Sequence, residues 1–208
     1  MDENIVPDVV ISRLPWYLQT LKQIADEGMQ TVSSSLLAEK LGSTATQIRR
    51  DLSNFGGFGK QGRGYTIDNL IEELENILNM DRIWPMIIVG AGDLGRALAR
   101  YQGFQNQGLK VAMLFDNAPD VVGTLVGKLR VKHVDSMREE VKSNRIKIAI
   151  ITVPANSAQE IADLLVEAGI QAILNYAPVT LVVQSSVRVQ HIDPTLHLQR
   201  MLYYLDEY

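Results

Sequence analysis

A glycine-rich turn between an apolar run and a helical segment is the feature that most constrains the fold of this chain. Residues 87–95 read IIVGAGDLG, so a short apolar run leads directly into G-x-G-x-x-G, and residues 96–100 continue as RALAR. This order predicts a buried strand, a tight turn and the N-terminus of a helix, whose unpaired N–H groups can hold a pyrophosphate. The predicted dinucleotide-binding turn consists of Gly90, Ala91, Gly92, Asp93, Leu94 and Gly95.

An acidic residue at the end of the next apolar run strengthens this interpretation. Residues 111–115 form a second predicted strand that ends at Asp116, 21 residues beyond Gly95. A carboxylate at this spacing is placed to accept hydrogen bonds from a ribose 2′-hydroxyl. It would repel the 2′-phosphate of NADP(H), and Asn117 offers no compensating cation, so the pattern favours NAD(H). The alternative is a glycine turn in an α/β domain that binds no ligand.

Beyond residue 116 the chain alternates between predicted strands and helices, as a doubly wound Rossmann sheet does. Strands are predicted at 129–131, 146–153, 170–174 and 187–191, and helices at 136–142 and 158–168. Ligands of such sheets lie outside the carboxyl ends of the strands. We therefore expect a nicotinamide there, although the same residues could simply be proline-terminated strand ends. The residues concerned are Thr152, Val153, Pro154 and Asn175.

Upstream of residue 81 the spacing of apolar residues predicts a helix-turn-helix. An amphipathic helix over 13–27 precedes a second helix, which follows the serines at 33–35 and stops at Gly42. A third helix over 45–54 begins with a capping box formed by Thr44 and Gln47. Residues 56–65 contain five glycines and predict a β-hairpin wing, which a further helix over 69–80 follows.

The third helix and the wing carry most of the positive charge of this region. Residues 40–63 hold five cations against one carboxylate, although the whole chain has a formal net charge of −4. Polar and cationic side chains on a recognition helix read base edges and phosphates, and cations on a wing suit phosphates or the minor groove. The alternative is a solvated helical hairpin beside a loose loop. The expected DNA-binding residues are Ser43, Thr44, Thr46, Gln47, Arg49, Arg50, Lys60 and Arg63.

The predicted terminal helix over 194–205 is apolar on more than one face. Such a helix cannot lie on its own domain with only one stripe buried, so we expect two surfaces to clasp it. Exchange of an element of this kind between protomers is an inexpensive route to a homodimer. A winged helix that reads palindromic DNA needs such a dimer.

These patterns divide an α/β chain into three segments. We expect a winged helix-turn-helix DNA-binding domain over 1–80 and a Rossmann dinucleotide-binding domain over 81–192. A domain-swapped dimerisation helix is expected over 193–208.

Residues that support catalysis, metal binding or export are missing or badly spaced. The chain contains no cysteine, which excludes thiolate nucleophiles, disulfides and zinc–thiolate sites. The spacing of His133, His191 and His197 indicates neither a metal site nor a catalytic triad. Because the chain has neither a membrane-length apolar run nor a signal peptide, we expect a cytoplasmic protein without a membrane partner. Because candidate catalytic and metal-binding residues are missing or badly spaced, we expect no metal partner and no enzyme activity. The alternatives are a dehydrogenase and a nucleotide- or coenzyme A-binding scaffold protein.

Motifs along almost the whole chain resemble those of the Rex family of redox-sensing transcriptional repressors. They are residues 11–15 (ISRLP), 49–56 (RRDLSNFG), 64–65 (GY), 101–104 (YQGF), 115–116 (FD), 152–154 (TVP), 173–178 (ILNYAP) and 191–193 (HID). The resemblance implies a homodimer with NADH and NAD+ as cofactors. It implies binding to palindromic operator DNA of fermentation and respiration genes when NADH is low, and release when NADH binds between the Rossmann domains.

The resemblance also implies roles for single residues around the cofactor. Asp116 is expected to bind the adenine ribose, and the glycine turn is expected to bind the pyrophosphate. Asp93 is expected to point to solvent, toward Arg96, because a carboxylate aimed at the phosphates would weaken their binding. The implied surroundings of the nicotinamide are Tyr101, Phe104, Pro154 and Asn175.

A switch is implied as well. Asp193 resembles a carboxylate that pairs, in some relatives, with the tyrosine matching Tyr101 across the dimer and with an arginine late in the first helix. This chain has Gln19 at the position of that arginine. A neutral amide cannot supply the charged partner, so this departure puts the exchange of hydrogen bonds in doubt.

Overall fold

The computed structural model describes residues 6–56 and 64–205 of the chain. The chain forms two compact units, Met1–Arg82 and Ile83–Tyr208. The division of roles among 1–80, 81–192 and 193–208 stays a prediction.

The first unit is mainly helical. Its elements are α1 (Asp8–Ile11), α2 (Leu14–Asp26), β1 (Thr31–Val32), α3 (Ser34–Leu41), α4 (Ala45–Ser53), β2 (Tyr65–Thr66) and α5 (Ile67–Ile77). The predicted start and stop signals of α3 are confirmed: Ser33 Oγ accepts from the Leu36 N–H at 3.1 Å, and Gly42 ends the helix with a φ of 61°. At α4, Thr44 Oγ1 accepts from the Gln47 N–H at 3.2 Å. The predicted capping box is only half formed, because the Gln47 side chain donates to Asp51 instead of reaching back to Thr44.

One apolar cluster holds these helices together. Leu14, Leu21 and Ile24 of α2 are fully buried against residues of α3, α4 and α5. Strand β1 pairs antiparallel with β2, so the chain returns after the glycine-rich segment to the strand that precedes the helix pair. This order of helices and short strands is that of a winged helix. Residues 57–63, which hold most of the predicted hairpin, lie outside the described residues.

The second unit contains a sheet with the strand order β5-β6-β4-β3-β7-β8-β9. The strands are β3 (Trp84–Val89), β4 (Leu109–Asp116), β5 (Leu125–Val126), β6 (Leu129–His133), β7 (Ile148–Ile151), β8 (Ala172–Asn175) and β9 (Arg188–His191). All neighbours pair in parallel except β5, which pairs antiparallel with β6. The parallel strands follow the Rossmann order, and the chain reverses direction across the sheet between β3 and β7, where such folds bind dinucleotides.

Helices lie on both faces of this sheet. They are α6 (Asp93–Arg100), α7 (Met137–Ser143) and α8 (Ala155–Ala168), with a 3-10 turn over Gln102–Gln107. Helix α9 (Pro194–Leu202) follows β9 and contains no buried residue. Along β3, Ile87 and Val89 face the cluster that includes α7 and α8, whereas Met86 and Ile88 face the cluster that includes residues of α6. Burial on both faces explains why this strand is a continuous apolar run.

Some boundaries differ from the sequence predictions. Strand β7 is shorter than the predicted 146–153, and the terminal helix ends at Leu202 rather than at 205. The predictions omitted β5, which forms a hairpin with β6 through Gly127 and Lys128, with Gly127 at a φ of 61°. A strand of two residues carries too little alternation to be detected.

Candidate functional site

The glycine turn joins the carboxyl end of β3 to the N-terminus of α6. Gly90 has a φ of 102°, and a Cβ there would lie 2.7 Å from the carbonyl oxygen of Thr152. A Cβ on Gly95 would lie only 1.8 Å from the carbonyl oxygen of Gly90. The fold itself therefore requires glycine at these two positions.

Gly92 differs from both. Its φ is −69°, which any residue can adopt, and a Cβ built there meets no atom within 4 Å. The described part of the chain gives no steric reason for glycine at this position. The residue is exposed at the N-cap of α6, where unpaired N–H groups favour an anion. A backbone kept bare at a helix N-terminus fits a phosphate-bearing ligand that must approach closely.

Asp116 ties the end of β4 to this turn. Its Oδ2 accepts from the Ala91 N–H at 2.5 Å, and its Oδ1 accepts from the Ala118 N–H at 2.9 Å. The carboxylate thus lies beside the turn, at the strand end where the sequence predicts a ribose. Asp93 is exposed, and the Arg96 Nε–H donates to the Ala91 carbonyl at 2.7 Å.

Thr152 closes the turn from the neighbouring strand end. Its hydroxyl lies 2.8 Å from the Gly90 carbonyl oxygen and 3.1 Å from that of Val89. Val153 packs against the core, and Pro154 is exposed at the N-cap of α8. The structure therefore brings the ends of β3, β4 and β7 together around one turn, and Thr152 supports that turn rather than pointing freely into a ligand cleft.

Tyr101 and Phe104 form an aromatic pair just after α6. Their rings meet edge to face with centroids 5.1 Å apart, and Tyr101 is 59% exposed while Phe104 is half-buried. A Cβ on Gly103 would lie 2.4 Å from Cζ of Tyr101. The tyrosine ring therefore lies directly over the backbone of Gly103.

Asn175 is fully buried at the end of β8. Its Oδ1 accepts from the Ala177 N–H at 3.0 Å, and its Nδ2 donates to the carbonyl oxygens of Ala177 and Val179 at 3.1 and 2.9 Å. Nδ1 of His191 lies 3.1 Å from the same nitrogen. These contacts hold the loop after β8 in place, and they occupy both N–H groups of the amide.

The first unit presents the predicted recognition helix on its surface. Ser43, Thr44, Thr46, Arg49 and Arg50 are exposed on or next to α4, and Gln47 is half-buried. The Arg49 guanidinium donates to Ser34 Oγ at 2.8 Å and to Thr46 Oγ1 at 3.3 Å, which holds the cation against the surface. Lys60 and Arg63 of the predicted wing lie outside the described residues.

Behind this surface lies a buried ionic cluster that the sequence reasoning missed. The Asp51 carboxylate accepts from Arg13 Nε at 2.6 Å and Nη2 at 2.7 Å, from the Tyr17 hydroxyl at 2.6 Å and from Gln47 Nε2 at 2.6 Å. We call these four residues the Asp51 cluster. A carboxylate has about four lone pairs to share, so Asp51 is fully hydrogen-bonded although it is inaccessible to solvent.

The cluster shifts the ionisation of its members. Burial by itself raises the pKa of Asp51, but hydrogen bonds from Arg13, Tyr17 and Gln47 outweigh it and lower the pKa below its usual value. Burial and the bond to Asp51 raise the pKa of Tyr17 to about 12. The hydrogen bond to Asp51 raises the pKa of Arg13. The cluster therefore holds a charged carboxylate, a charged guanidinium and a neutral phenol.

Helix α9 presents its apolar side chains to solvent in the single chain. Leu196, Leu198, Met201 and Leu202 are each about 60% exposed. Asp193 caps this helix, since its Oδ1 accepts from the Thr195 N–H at 2.9 Å. An exposed apolar helix of this kind is typical of a surface that another chain covers.

Two family models match the chain. One, described as "CoA binding domain", matches residues 81–179, and the other, described as "Putative DNA-binding protein N-terminus", matches residues 5–53. The redox-sensing transcriptional repressor Rex of Chloroflexus aggregans is 48% identical over 199 residues, which cover 96% of this chain and 94% of that protein. The Rex repressor of Clostridioides difficile is 40% identical and covers 95% of this chain and 94% of its own.

The chain belongs to the Rex family of redox-sensing transcriptional repressors. Solved structures of the family agree with the fold. A crystal structure of RSP in complex with beta-NAD+ and operator DNA is 39% identical to this chain, covers 98% of it and 94% of RSP, and has a TM-score of 0.93. A structure of RSP with beta-NADH has a TM-score of 0.89 at 37% identity, with 98% and 95% covered.

The Rex relatives are named as repressors. Among residues 6–56 and 64–205, no three His, Asp or Glu side chains are grouped as a metal site would need. No helix in these same ranges has the length and apolar character to cross a membrane.

One signal in the sequence could have revealed the Asp51 cluster. Asp51 lies three residues after Ile48 and one before Leu52, and both of these are buried. It therefore falls on the core-facing stripe of α4, where an ionisable residue requires a partner. The interpretation of residues 40–63 as a basic DNA-binding segment counted Asp51 only as one opposing charge and did not ask what partner it has.

Proposed function

We propose that this chain represses transcription in response to the NADH/NAD+ ratio, binding palindromic operator DNA when NADH is low and releasing it when NADH binds. The observation that carries this function is the match over nearly the full length to Rex repressors, including RSP with beta-NAD+ and operator DNA. A repressor acts where its operators are, so we place it in the cytoplasm. We also propose that it is not an enzyme, because the residues around the glycine turn serve hydrogen bonding and packing.

NADH and NAD+ are the cofactors that fit the second unit. We assign the pyrophosphate to the glycine turn, residues 90–95, because the bare backbone at Gly92 and the helix N-terminus beside it suit a doubly charged group. The carboxylate of Asp116 at the end of β4 supports recognition of the ribose. The nicotinamide ring is neutral when reduced and positively charged when oxidised. Because a charged ring is costly to bury, partly apolar surroundings favour the reduced form.

The expected nicotinamide neighbours contribute in different ways. Tyr101, Phe104, Val153 and Pro154 supply aromatic and apolar surface. Thr152 holds the turn through Gly90, and Asn175 holds the loop after β8. We therefore assign Thr152 and Asn175 to shaping the pocket, since their hydrogen bonds are already used within the protein.

The DNA-binding face is assigned to α4 and the segment that follows it. Ser43, Thr44, Thr46, Arg49 and Arg50 are exposed there, and cations at such positions bind phosphates or guanine edges. We keep Lys60 and Arg63 as proposed wing contacts. Two such helices must sit in successive major grooves, which requires a dimer.

The dimer is proposed to form through α9, whose apolar side chains are exposed in the single chain. Removing the residues after Asp193 is expected to leave monomers, which sedimentation velocity measures directly. A dimer that persists after this truncation would exclude α9 as the interface.

The switch is proposed to run through Tyr101 and Asp193. Coupling between two ligands is reciprocal, so NADH and DNA should weaken each other by the same factor, worth about 1–3 kcal/mol. Tyr101→Phe and Asp193→Ala should raise the NADH concentration needed for half-release while leaving DNA binding intact without NADH. If neither substitution changes that concentration, the signal takes another route, and the amide of Gln19 is the first reason to examine.

The deciding experiment is an electrophoretic mobility shift assay of the full chain on palindromic DNA, titrated with NADH and with NAD+. We expect NADH to release the DNA at a lower concentration than NAD+ does. The double change Arg49→Ala and Arg50→Ala removes four cations from each dimer, so it should weaken binding and lower the log-log salt slope by up to about four. Arg188→Ala, which removes an exposed cation on β9, serves as the control.

Two results would overturn the proposal. One is turnover of NAD+ with alcohols or hydroxy acids together with no DNA binding, which is the behaviour of a dehydrogenase. The other is operator affinity that survives the double arginine change.

A further inference from the structure

The half-buried Gln47 lies in the first turn of α4, the part of a recognition helix that contacts base edges. Its amide carries an acceptor, Oε1, and a donor, Nε2, so a glutamine that can turn over is able to accept from one base or donate to another. Which end faces DNA decides which bases it prefers.

Asp51 fixes that choice. Its carboxylate is buried and already accepts from Arg13 and Tyr17, and a carboxylate of this kind has no hydrogen to give. Only the Nε2 end of the Gln47 amide can face it, and the two atoms lie 2.6 Å apart. The opposite orientation would bring two oxygens together without a hydrogen between them.

This orientation leaves the acceptor atom of the amide, Oε1, available to a ligand. Among the hydrogen bonds of the described residues, none engages Oε1 of Gln47. In the major groove, adenine and cytosine offer an exocyclic amine, whereas guanine and thymine offer a carbonyl oxygen at the corresponding place. An outward acceptor favours the amine and opposes the carbonyl.

We propose that Gln47 is a specificity-determining residue that reads one base in each operator half-site with Oε1 as the acceptor, and that Asp51 acts as a positioning residue by holding the amide in this orientation. On the strand that Gln47 reads, the protein therefore selects adenine or cytosine over guanine or thymine. This inference rests on the proposed function, since it requires α4 to bind operator DNA.

The test begins with selection of duplexes from a randomised double-stranded pool by the wild-type chain. We expect one position per half-site with an adenine or cytosine preference that depends on Gln47. Exchanging adenine for guanine, or cytosine for thymine, at that position should weaken wild-type binding about tenfold. An analogue without the amine, such as purine in place of adenine, should weaken it to the same extent. Gln47→Ala should reduce both effects to within about twofold while keeping the preferences at other positions.

The role of Asp51 needs a second pair of variants. Asp51→Asn lets residue 51 donate as well as accept, so Gln47 can turn over and tolerate guanine or thymine. Because this change leaves the half-buried Arg13 without its carboxylate partner, the double change Arg13→Met and Asp51→Asn removes the ion pair altogether. Both variants should bind the two forms of the operator within about threefold of each other. Gln23→Ala, at an exposed glutamine of α2, should behave as the wild type does.

The outcomes distinguish a failure of the proposed function from a failure of the roles assigned to Gln47 and Asp51. If the wild-type chain selects no DNA sequence at all, the proposed function fails. If it selects an operator and Gln47→Ala keeps every base preference, the reading role of Gln47 is wrong. If Gln47→Ala loses the preference but the Asp51 variants still discriminate tenfold, Asp51 does not set the orientation of the amide.

Discussion

Replacing Gly92 and Gly95 one at a time by alanine should separate a ligand requirement from a folding requirement within one turn. At position 95 the new Cβ would lie 1.8 Å from the Gly90 carbonyl oxygen and 2.8 Å from Oγ1 of Thr152. Neither neighbour can move without opening the contact between β3, α6 and β7. We expect Gly95→Ala to lower the free energy of unfolding by ~3 kcal/mol, at the upper end of typical overpacking costs.

At position 92 the same methyl group meets nothing within 4 Å, and the φ of −69° suits alanine. Reduced freedom of the unfolded chain should stabilise the variant by ~0.4–1 kcal/mol. Loss of a good N-cap residue should cost ~0.5–1 kcal/mol, so the two effects nearly cancel. The affinity for NADH should nevertheless fall at least about tenfold, which corresponds to ~1.4 kcal/mol, because the methyl group occupies the approach of the pyrophosphate.

Urea denaturation gives the free energy of unfolding, and NADH fluorescence gives the affinity of each variant. A Gly92→Ala chain that binds NADH as tightly as the wild type would contradict the placement of the pyrophosphate. A Gly95→Ala chain of wild-type stability would contradict the packing argument.

Four further predictions concern other contacts. NADPH should bind at least ~10-fold more weakly than NADH because its 2′-phosphate meets the carboxylate of Asp116; equal dissociation constants in fluorescence titrations would refute this. Because the pKa of Asp51 is lowered in the folded chain, its contribution to stability should be present above the unfolded pKa of about 4 and lost as the pH falls through the folded pKa. Urea denaturation at acid pH measures this loss, and Asp51→Asn should remove it. The pKa of Tyr17 is raised to about 12, so its contribution is present below about pH 10 and lost as the pH rises toward 12, and Tyr17→Phe should flatten that alkaline limb. Gly103→Ala should displace the Tyr101 ring and raise the NADH concentration for half-release as Tyr101→Phe does, whereas an unchanged half-release would show that the ring position is irrelevant.

The order of elements in both units could be predicted because their signals are local. A serine at a helix start, a glycine at its end and an apolar run before G-x-G-x-x-G each act within a few residues, and Ser33, Gly42 and Gly90 behave as expected. Strand β5 escaped prediction because its pairing involves only two residues, Leu125 and Val126, and the tight turn after them.

The candidate sites show a different limit. Motif spacing identified the glycine turn and Asp116, since both follow strands that the apolar pattern reveals. It did not reveal that Thr152 supports Gly90 or that Asn175 is buried in its own loop, because these contacts join segments distant in the sequence or depend on the path of a loop. The Asp51 cluster escaped for the first of these reasons, since Arg13 and Asp51 lie 38 residues apart.

The exposed apolar face of α9 has a consequence for how operator occupancy depends on the concentration of the protein in the cell. If operator binding belongs to the dimer and the subunits meet through α9, operator occupancy rises with the square of the subunit concentration while dimers are scarce. A modest change in synthesis or degradation would then change the repression of target genes more than proportionally. A subunit shortened after Asp193 should not take part in this dimerisation and should not inhibit intact subunits, because it lacks the helix through which the subunits meet.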